Sequence, residues 1–404
     1  MHCSTRETSA VALPLRTVSS SWRYARFVER SDLIRVSGSD VGDRELASIA
    51  HVFSRGYLGM GSDVAAFERA LESRLQRPVA CVATGTAALQ LALQAVGVGP
   101  GDEVMVPTLT YVAACQAVSA TGADPVLVDV LPGTLTMDPA SAARRLTKRT
   151  RALLPTYYGG GICQLADIYE LANKMDLRVV EDAAHAFGSI NSSTQVGSSG
   201  DVTCFSFDPI KNLTSGEGGC VVSSDEEVMS RVRDLRLLGV RGDSQARTQE
   251  TRLYEFDVVE QGWRFHMSNI CAAIGLAQLE TFPTRALKRQ KLAKQYELTF
   301  QHLDQVETLP WDYDLVVPHI YVILLASSRI RDALRDHLRS RGVETALHWF
   351  PNHRLTRFYA DASLFPVAED AFSRMLTLPL HPRLTVETVR LIATDVQAFV
   401  QAHS

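Results

Sequence analysis

The sequence predicts an α/β protein, with a mainly parallel central sheet covered by helices in a large domain and a smaller α+β C-terminal domain after it. Three observations point there. Short apolar runs alternate with helical stretches from Glu103 to Phe207, as a parallel sheet buried on both faces requires. After Leu279 the character changes to a charged helical stretch and then to a differently built C-terminal part. The chain has 404 residues, 46% of them hydrophobic, which is more than one compact core usually holds. The boundaries expected are an N-terminal extension at 1–30, a large domain at 31–280 and a small domain at 281–404.

Residues 1–30 are rich in Ser and Arg, and Pro14 interrupts their short apolar run, Ala10 to Leu15, which is too short for a signal-peptide core. Glu7 and Glu29 count against a transit peptide, so the segment reads as a loose extension. From Asp63, Val64, Phe67, Leu71 and Leu75 recur at helical spacing, so one helix face is expected to be buried. Thr84-Gly85-Thr86 opens a second apolar helix through Leu89, Leu91 and Leu93, closed by a turn at Gly97 to Gly101. Strands are expected at Glu103 to Val106, Pro125 to Val128, Ala152 to Pro155, Val179 to Glu181 and Thr203 to Phe207. Ligands of such a sheet sit at the strand ends. Arg285 to Leu303 reads as a charged helix that could link the domains. Beyond it come a strand near Ile320 to Leu325 and helices at Arg329 to Arg341 and Val386 to Val400.

A net charge of -4 offers no basic footprint for nucleic acid or an anionic membrane surface. No apolar run is long enough to cross a bilayer, so a soluble protein is expected. Seven scattered cysteines without CxxC spacing fit neither a disulfide framework nor a zinc site, and read as core residues in a reducing cytoplasm. His319, His348, His353 and His381 lack the i,i+4 spacing of a helical metal site, so no metal is assigned.

Three segments carry chemistry. Val179 to His185 is an apolar strand ending in Glu181 and Asp182, where a carboxylate faces either a ligand or solvent. Asp201 to Gly219 delivers Ser206 on a strand and Lys211 on a loop that Phe205 and Phe207 draw inward. Ala83 to Ala88 sets hydroxyls and Gly85 at a helix N-terminus, which suits an anion site and equally suits ordinary capping by Thr.

With GYLGMGSDVAAFE (56–68), GDEVMVPTLTYVA (101–113) and MSNICAAIGLAQLE (267–280), these segments resemble the DegT/DnrJ/StrS family of pyridoxal-phosphate nucleotide-sugar aminotransferases. The likeness runs from about Leu33 to the C-terminus, and several motifs in order make it specific. It implies the fold-type I architecture, pyridoxal 5'-phosphate as cofactor, and a homodimer with cofactor sites near the subunit interface. It implies transfer of an amino group from an amino acid, L-glutamate in most of the family, to a keto sugar nucleotide. The alternatives are a sugar dehydratase of the same fold, which carries His where this chain has Lys211, and a non-catalytic cofactor-binding regulator.

By the resemblance, Lys211 is the Schiff-base lysine and proton shuttle. Asp182 pairs with the pyridine nitrogen and keeps it protonated. His185 takes the place, often Gln, that contacts the phenolic oxygen, and Tyr111 stacks on the ring. Gly85, Thr86 and Ser206 hold the phosphate, and His348 borders the substrate pocket. At Gly262 to His266 the chain departs from the family's pattern, in which an Asn reaches the phosphate of the neighbouring subunit. Arg264 either replaces that contact with a charge-assisted hydrogen bond or stays on the surface.

Overall fold

The structure of the protein, a computed structural model, describes residues 33–251 and 253–403. The extension expected at 1–30 lies outside the described residues. The main sheet is built from β1 (Val79–Val82), β2 (Glu103–Pro107), β3 (Asp124–Val128), β4 (Thr150–Leu153) and β5 (Arg178–Asp182). After a small hairpin of β6 (Ile190–Asn191) and β7 (Thr194–Gln195), β8 (Val202–Ser206) and β9 (Gly219–Ser223) complete it. The strand order is β1-β9-β8-β5-β4-β2-β3. β2 to β5 and β8 pair in parallel, while β9 runs antiparallel to both β8 and β1.

The sheet is therefore the mainly parallel one expected. β2 and β5 each carry two valines, and β2, β5 and β8 are buried along almost their whole length, because helices cover both faces. Two expected strands shift as a whole, that placed at Ala152 to Pro155 being β4, two residues earlier, and that at Thr203 to Phe207 being β8, one earlier; β2 and β3 differ by one residue at one end and β5 by one at each end. β1 and β9 were not foreseen. They pair through Cys81↔Cys220 and Val79↔Val222 and widen the sheet on the side that holds Lys211.

The helix that follows β1, Gly85–Ala95, is capped by Thr84, whose hydroxyl accepts from the amide of Ala87. The charged stretch after Leu279 is the second half of a single helix, Asn269–Phe300, with Pro283 inside it. Its first half presents Ala272, Ala273, Gly275 and Ala277 to the large sheet's helices. Its second half buries Leu292, Ala293, Tyr296 and Phe300 in a separate apolar cluster. That cluster lies over an antiparallel sheet of β10 (Val306–Thr308), β11 (Tyr321–Leu325) and β12 (Met375–Leu378), flanked by helices Ser328–Ser340 and Val386–Ala402. No helix among the described residues is long and apolar enough to cross a membrane.

Candidate active site

The connections that leave the C-terminal ends of the parallel strands converge on one cavity of about 450 Å³. Thr84, Gly85 and Thr86 follow β1, Tyr111 follows β2, Thr156 follows β4, Asp182 ends β5 with His185 just beyond, and Ser206 ends β8 before Lys211. Register holds them together: Asp182 pairs with Cys204, two residues before Ser206, and Ser206 pairs with Gly219 on β9. Binding groups at strand ends are where an open α/β sheet places a ligand.

Lys211 is held by a tight turn. Its amide donates to the Asp208 carbonyl (3.1 Å), and the Ile210 amide donates to the Asp208 carboxylate (3.1 Å). Asn212 ties the loop down by donating to the carbonyls of His185 (3.2 Å) and Val317 (2.9 Å). Burial brings the Lys211 amine down to about 8; Asp208 and Asp182 oppose the shift, and Arg289 adds to it. An amine in that range supplies both nucleophile and proton carrier near neutral pH. Asp182 is buried, and burial pushes its carboxyl above the ordinary value against the Ala184 amide (3.1 Å) and the charge of Lys211. A carboxylate so placed is stabilised by any cation that enters the cavity.

His185 has one ring nitrogen committed. The Gly159 amide donates to Nδ1 (3.2 Å), so Nδ1 bears the lone pair and the proton lies on Nε2. Gly159 has φ +62°, and a Cβ there would meet Trp311 at 2.3 Å, so glycine is required at the donor. The His185 ring packs 4.4 Å from His319 and 5.9 Å from Trp349. Burial, with Lys211 and His348 nearby, holds it well below the usual imidazole range and therefore neutral.

Tyr111 is 55% exposed at the cavity mouth, with its ring 4.9 Å from Trp349. Asn352 fixes the segment before it by donating to the carbonyls of Thr108 (3.0 Å) and Thr110 (2.8 Å). His348 lines the cavity, its Nδ1 2.9 Å from the Thr377 hydroxyl, and burial followed by Lys211 brings it to about 4.

The cavity fits pyridoxal phosphate. The helix Gly85–Ala95 aims its first-turn amides at the cavity end beside Ser206, and such amides lack intrahelical acceptors. A Cβ on Gly85 would fill this cradle, meeting the Ser206 Cβ at 2.6 Å. The buried acid for a ring nitrogen, the flanking aromatic ring and the amine for an aldehyde are all on the same walls.

Of the residues singled out in the sequence, Gly85, Thr86, Tyr111, Asp182, His185, Ser206, Lys211 and His348 line this cavity. Arg264 does not: it is exposed, and its backbone bridges Leu237. Asp208 and Glu217 also line the cavity, as does Trp349. Asp208 was missed although it lies between Ser206 and Lys211, because nothing local tells a turn-forming Asp from one that faces a ligand. Trp349 and His319 come from the C-terminal part, and no local signal picks His319 out from His353. His353 instead links Thr108 (2.8 Å) to Glu369 (2.6 Å).

Comparison with known proteins matches residues 39–397 to the DegT/DnrJ/EryC1/StrS aminotransferase family. The dTDP-4-dehydro-2,3,6-trideoxy-D-glucose 4-aminotransferase of Saccharopolyspora spinosa is 33% identical over 371 residues, 90% of this chain and 96% of that one. GDP-perosamine synthase of Escherichia coli O157:H7 is 36% identical over 321 residues, 79% of this chain and 84% of that one. Among solved structures, Spr1654 from Streptococcus pneumoniae in its PLP form has a TM-score of 0.85 at 28% identity, covering 92% of this chain and 99% of that one. Its PMP form also has a TM-score of 0.85, at 28% identity over 91% of this chain and 99% of that one.

Proposed function

This chain belongs to the DegT/DnrJ/EryC1/StrS aminotransferase family, and from that premise we propose that it moves the amino group of an amino acid, L-glutamate, onto the keto carbon of a nucleotide-linked sugar. It is a pyridoxal-phosphate-dependent aminotransferase of the fold-type I architecture. The names of the two curated relatives, one for a dTDP-linked dehydro sugar and one for GDP-perosamine, support the sugar nucleotide. The observation that carries the reading is Lys211, an amine at about 8 on the wall of the same cavity as the buried Asp182.

Lys211 would hold the cofactor through its amine, and Asp182 would pair with the ring nitrogen. Tyr111 would pack on the ring, His185 would donate from Nε2 to the phenolic oxygen, and Gly85, Thr86 and Ser206 would hold the phosphate. The bound cofactor supplies an electron sink and a carrier for the amino group. The rest is done by the chain. Asp182 keeps a negative charge facing the ring nitrogen, and the Lys211 Nζ accepts and returns a proton as each substrate passes. His185 donates without changing charge, because Gly159 fixes its tautomer. His348 and Trp349 border the space left for the sugar. Over both halves the donor exchanges nitrogen for oxygen and the keto sugar the reverse, with no external oxidant.

The active form is proposed to be a homodimer. Leu253, Tyr254, Phe256, Val258 and Val259 form an exposed apolar stretch, Tyr254 being 97% exposed, and a second copy of the chain would cover it. Arg264, exposed next to that stretch in space through the Val240–Val258 and Leu237–Arg264 bridges, would then reach the phosphate of the second copy. The six cysteines among the described residues are free, and five are buried, in keeping with work in the cytoplasm.

The test is a panel of keto sugar nucleotides offered to the enzyme in its amine-charged form, with mass detection of product. An aminated sugar nucleotide, and release of 2-oxoglutarate when L-glutamate recharges the enzyme, is the expected result. A deoxygenated sugar without net amine transfer would overturn it in favour of dehydration.

A further inference from the structure

Arg289 lies mid-way along the helix Asn269–Phe300 and is only 2% exposed, yet among the described residues it makes no hydrogen bond to a carboxylate. Its Nη1 donates to the carbonyls of Pro318 (3.4 Å), His319 (3.2 Å) and Leu380 (3.3 Å), and its Nη2 to that of Ile210 (3.3 Å). Its Nε is buried without a partner. Arg285, one turn earlier, shows the ordinary solution, with Asp40 at 3.2 Å and Glu45 at 3.3 Å. A buried cation hydrogen-bonded to neutral carbonyls, with Asp40 near enough to act on its charge but not bonded to it, is costly, and an apolar residue of similar length would be the simpler way to fill the helix face.

Two of its acceptors explain the position. Ile210 is bonded to Lys211, and His319 packs on the ring of His185. One guanidinium thus spans the lysine loop and the segment behind the opposite wall. We propose that Arg289 is a positioning residue of the transamination site, fixing the Ile210–Lys211 peptide and setting a buried positive charge behind the lysine loop. The inference rests on Lys211 being the cofactor-holding lysine. Charge and geometry agree in direction: Arg289 lowers the Lys211 amine, and it also helps to keep His319 neutral.

The groups facing the Lys211 amine are Asp182, Asp208 and Glu217 as acids, His185, His319 and His348 as imidazoles, and Arg289. All but Arg289 keep their chemical identity when it alone is replaced. His185, His319 and His348 are held far enough down to remain neutral near pH 7. A shift at Lys211 therefore reports on Arg289.

The experiment compares wild type with Arg289→Gln, which removes the charge, and Arg289→Lys, which keeps it. Borohydride reduction and peptide mapping of the wild-type holoenzyme come first; absence of cofactor on Lys211 would sink the functional reading itself. With that attachment in hand, the pH midpoint of the visible band of the lysine-bound cofactor is measured in each holoenzyme. Acylation of Lys211 against pH in the cofactor-free full chain gives the companion quantity, the titration of the free amine, without turnover. Arg289→Gln is expected to raise both midpoints by about one unit, the scale of one nearby charge, so that acylation near pH 7 slows roughly tenfold. Arg289→Lys should stay close to wild type. An unmoved midpoint in Arg289→Gln, or an equal shift in both variants, would overturn the proposal. Should Arg289→Gln fail to fold, Arg289→Met is read in the same way, and failure of both would overturn it in favour of a purely structural cation.

Discussion

Replacing Gly85 with Ala tests the phosphate cradle at its tightest contact. The new Cβ would lie 2.6 Å from the Ser206 Cβ, 2.9 Å from its Oγ and 3.2 Å from its Cα. Restoring an ordinary 3.4 Å contact moves one of the two segments by about 0.8 Å, the difference from the 2.6 Å approach. Overpacking of this kind costs about 1–3 kcal/mol. The same movement draws the Ser206 hydroxyl off its mark, and a hydrogen bond to a charged group is worth about 1.5–3 kcal/mol. With tenfold for each 1.4 kcal/mol, cofactor binding should weaken roughly 10- to 100-fold, measured by titrating pyridoxal phosphate into the cofactor-free chain. Because the clash is with Ser206, the two sites should couple. In a Ser206→Gly background, Gly85→Ala should cost less than about threefold further, since the opposing Cβ has gone. Wild-type affinity in Gly85→Ala, or the same added loss in both backgrounds, would refute the reasoning.

His185→Gln should keep cofactor affinity and the pH profile of the bound spectrum, because the amide is also a neutral donor, whereas His185→Ala should weaken binding about tenfold, the worth of one such bond. An NMR titration showing the His185 ring gaining its proton between pH 5 and 8 would contradict the fixed tautomer. Lys211 also predicts a pH dependence of stability in the cofactor-free chain. Its folded value, about 8, lies below the 10.5 of an unperturbed lysine, so between those values the unfolded chain holds the extra proton and stability rises with pH. Chemical denaturation of wild type and Lys211→Met across pH 7 to 11 should show that rise in wild type alone, and parallel curves would show that burial leaves the amine unshifted. Phe256→Asp puts a charge into the exposed apolar stretch and should shift sedimentation from dimer to monomer; an unchanged sedimentation coefficient would remove that stretch from the interface.

Much of the site was legible in the sequence because each part is local. A strand, a turn and the first residues of the next helix lie within about ten residues, so the family resemblance could be carried by short motifs; read alone, Asp182 was as readily a solvated acid and Lys211 only a lysine in a loop drawn inward. β9 was lost for the opposite reason. It returns beside β8 through the connection that carries Lys211, and an antiparallel neighbour needs no crossover helix to announce it. The helix Asn269–Phe300 resembled a linker because its surroundings change half-way: small residues face the large sheet's helices first, and a separate core later. The composition registered that change although the backbone continues. His319, Asn352 and Arg289 were illegible because their meaning depends on which part of the C-terminal segment folds against the lysine loop.

The cavity's charge bears on the part proposed for Arg264. Its walls carry the carboxylates of Asp182, Asp208 and Glu217, against Lys211 on the wall and Arg289 behind it, while His185, His319 and His348 are held neutral. With those acids ionised the set is negative by one charge before any ligand enters. A phosphate group adds about 1.5 to 2 further negative charges at neutral pH. The amides of Gly85 and Thr86 and the Ser206 hydroxyl can orient that phosphate, but they bring no formal charge. A ring nitrogen protonated opposite Asp182 returns one positive charge, and within one chain Arg264 is exposed and does not line the cavity. Delivered by the proposed second copy, it would add a positive charge beside the phosphate. Loss of Arg264 should then weaken phosphate binding more steeply at low ionic strength than at high, as a charge does and a neutral donor does not.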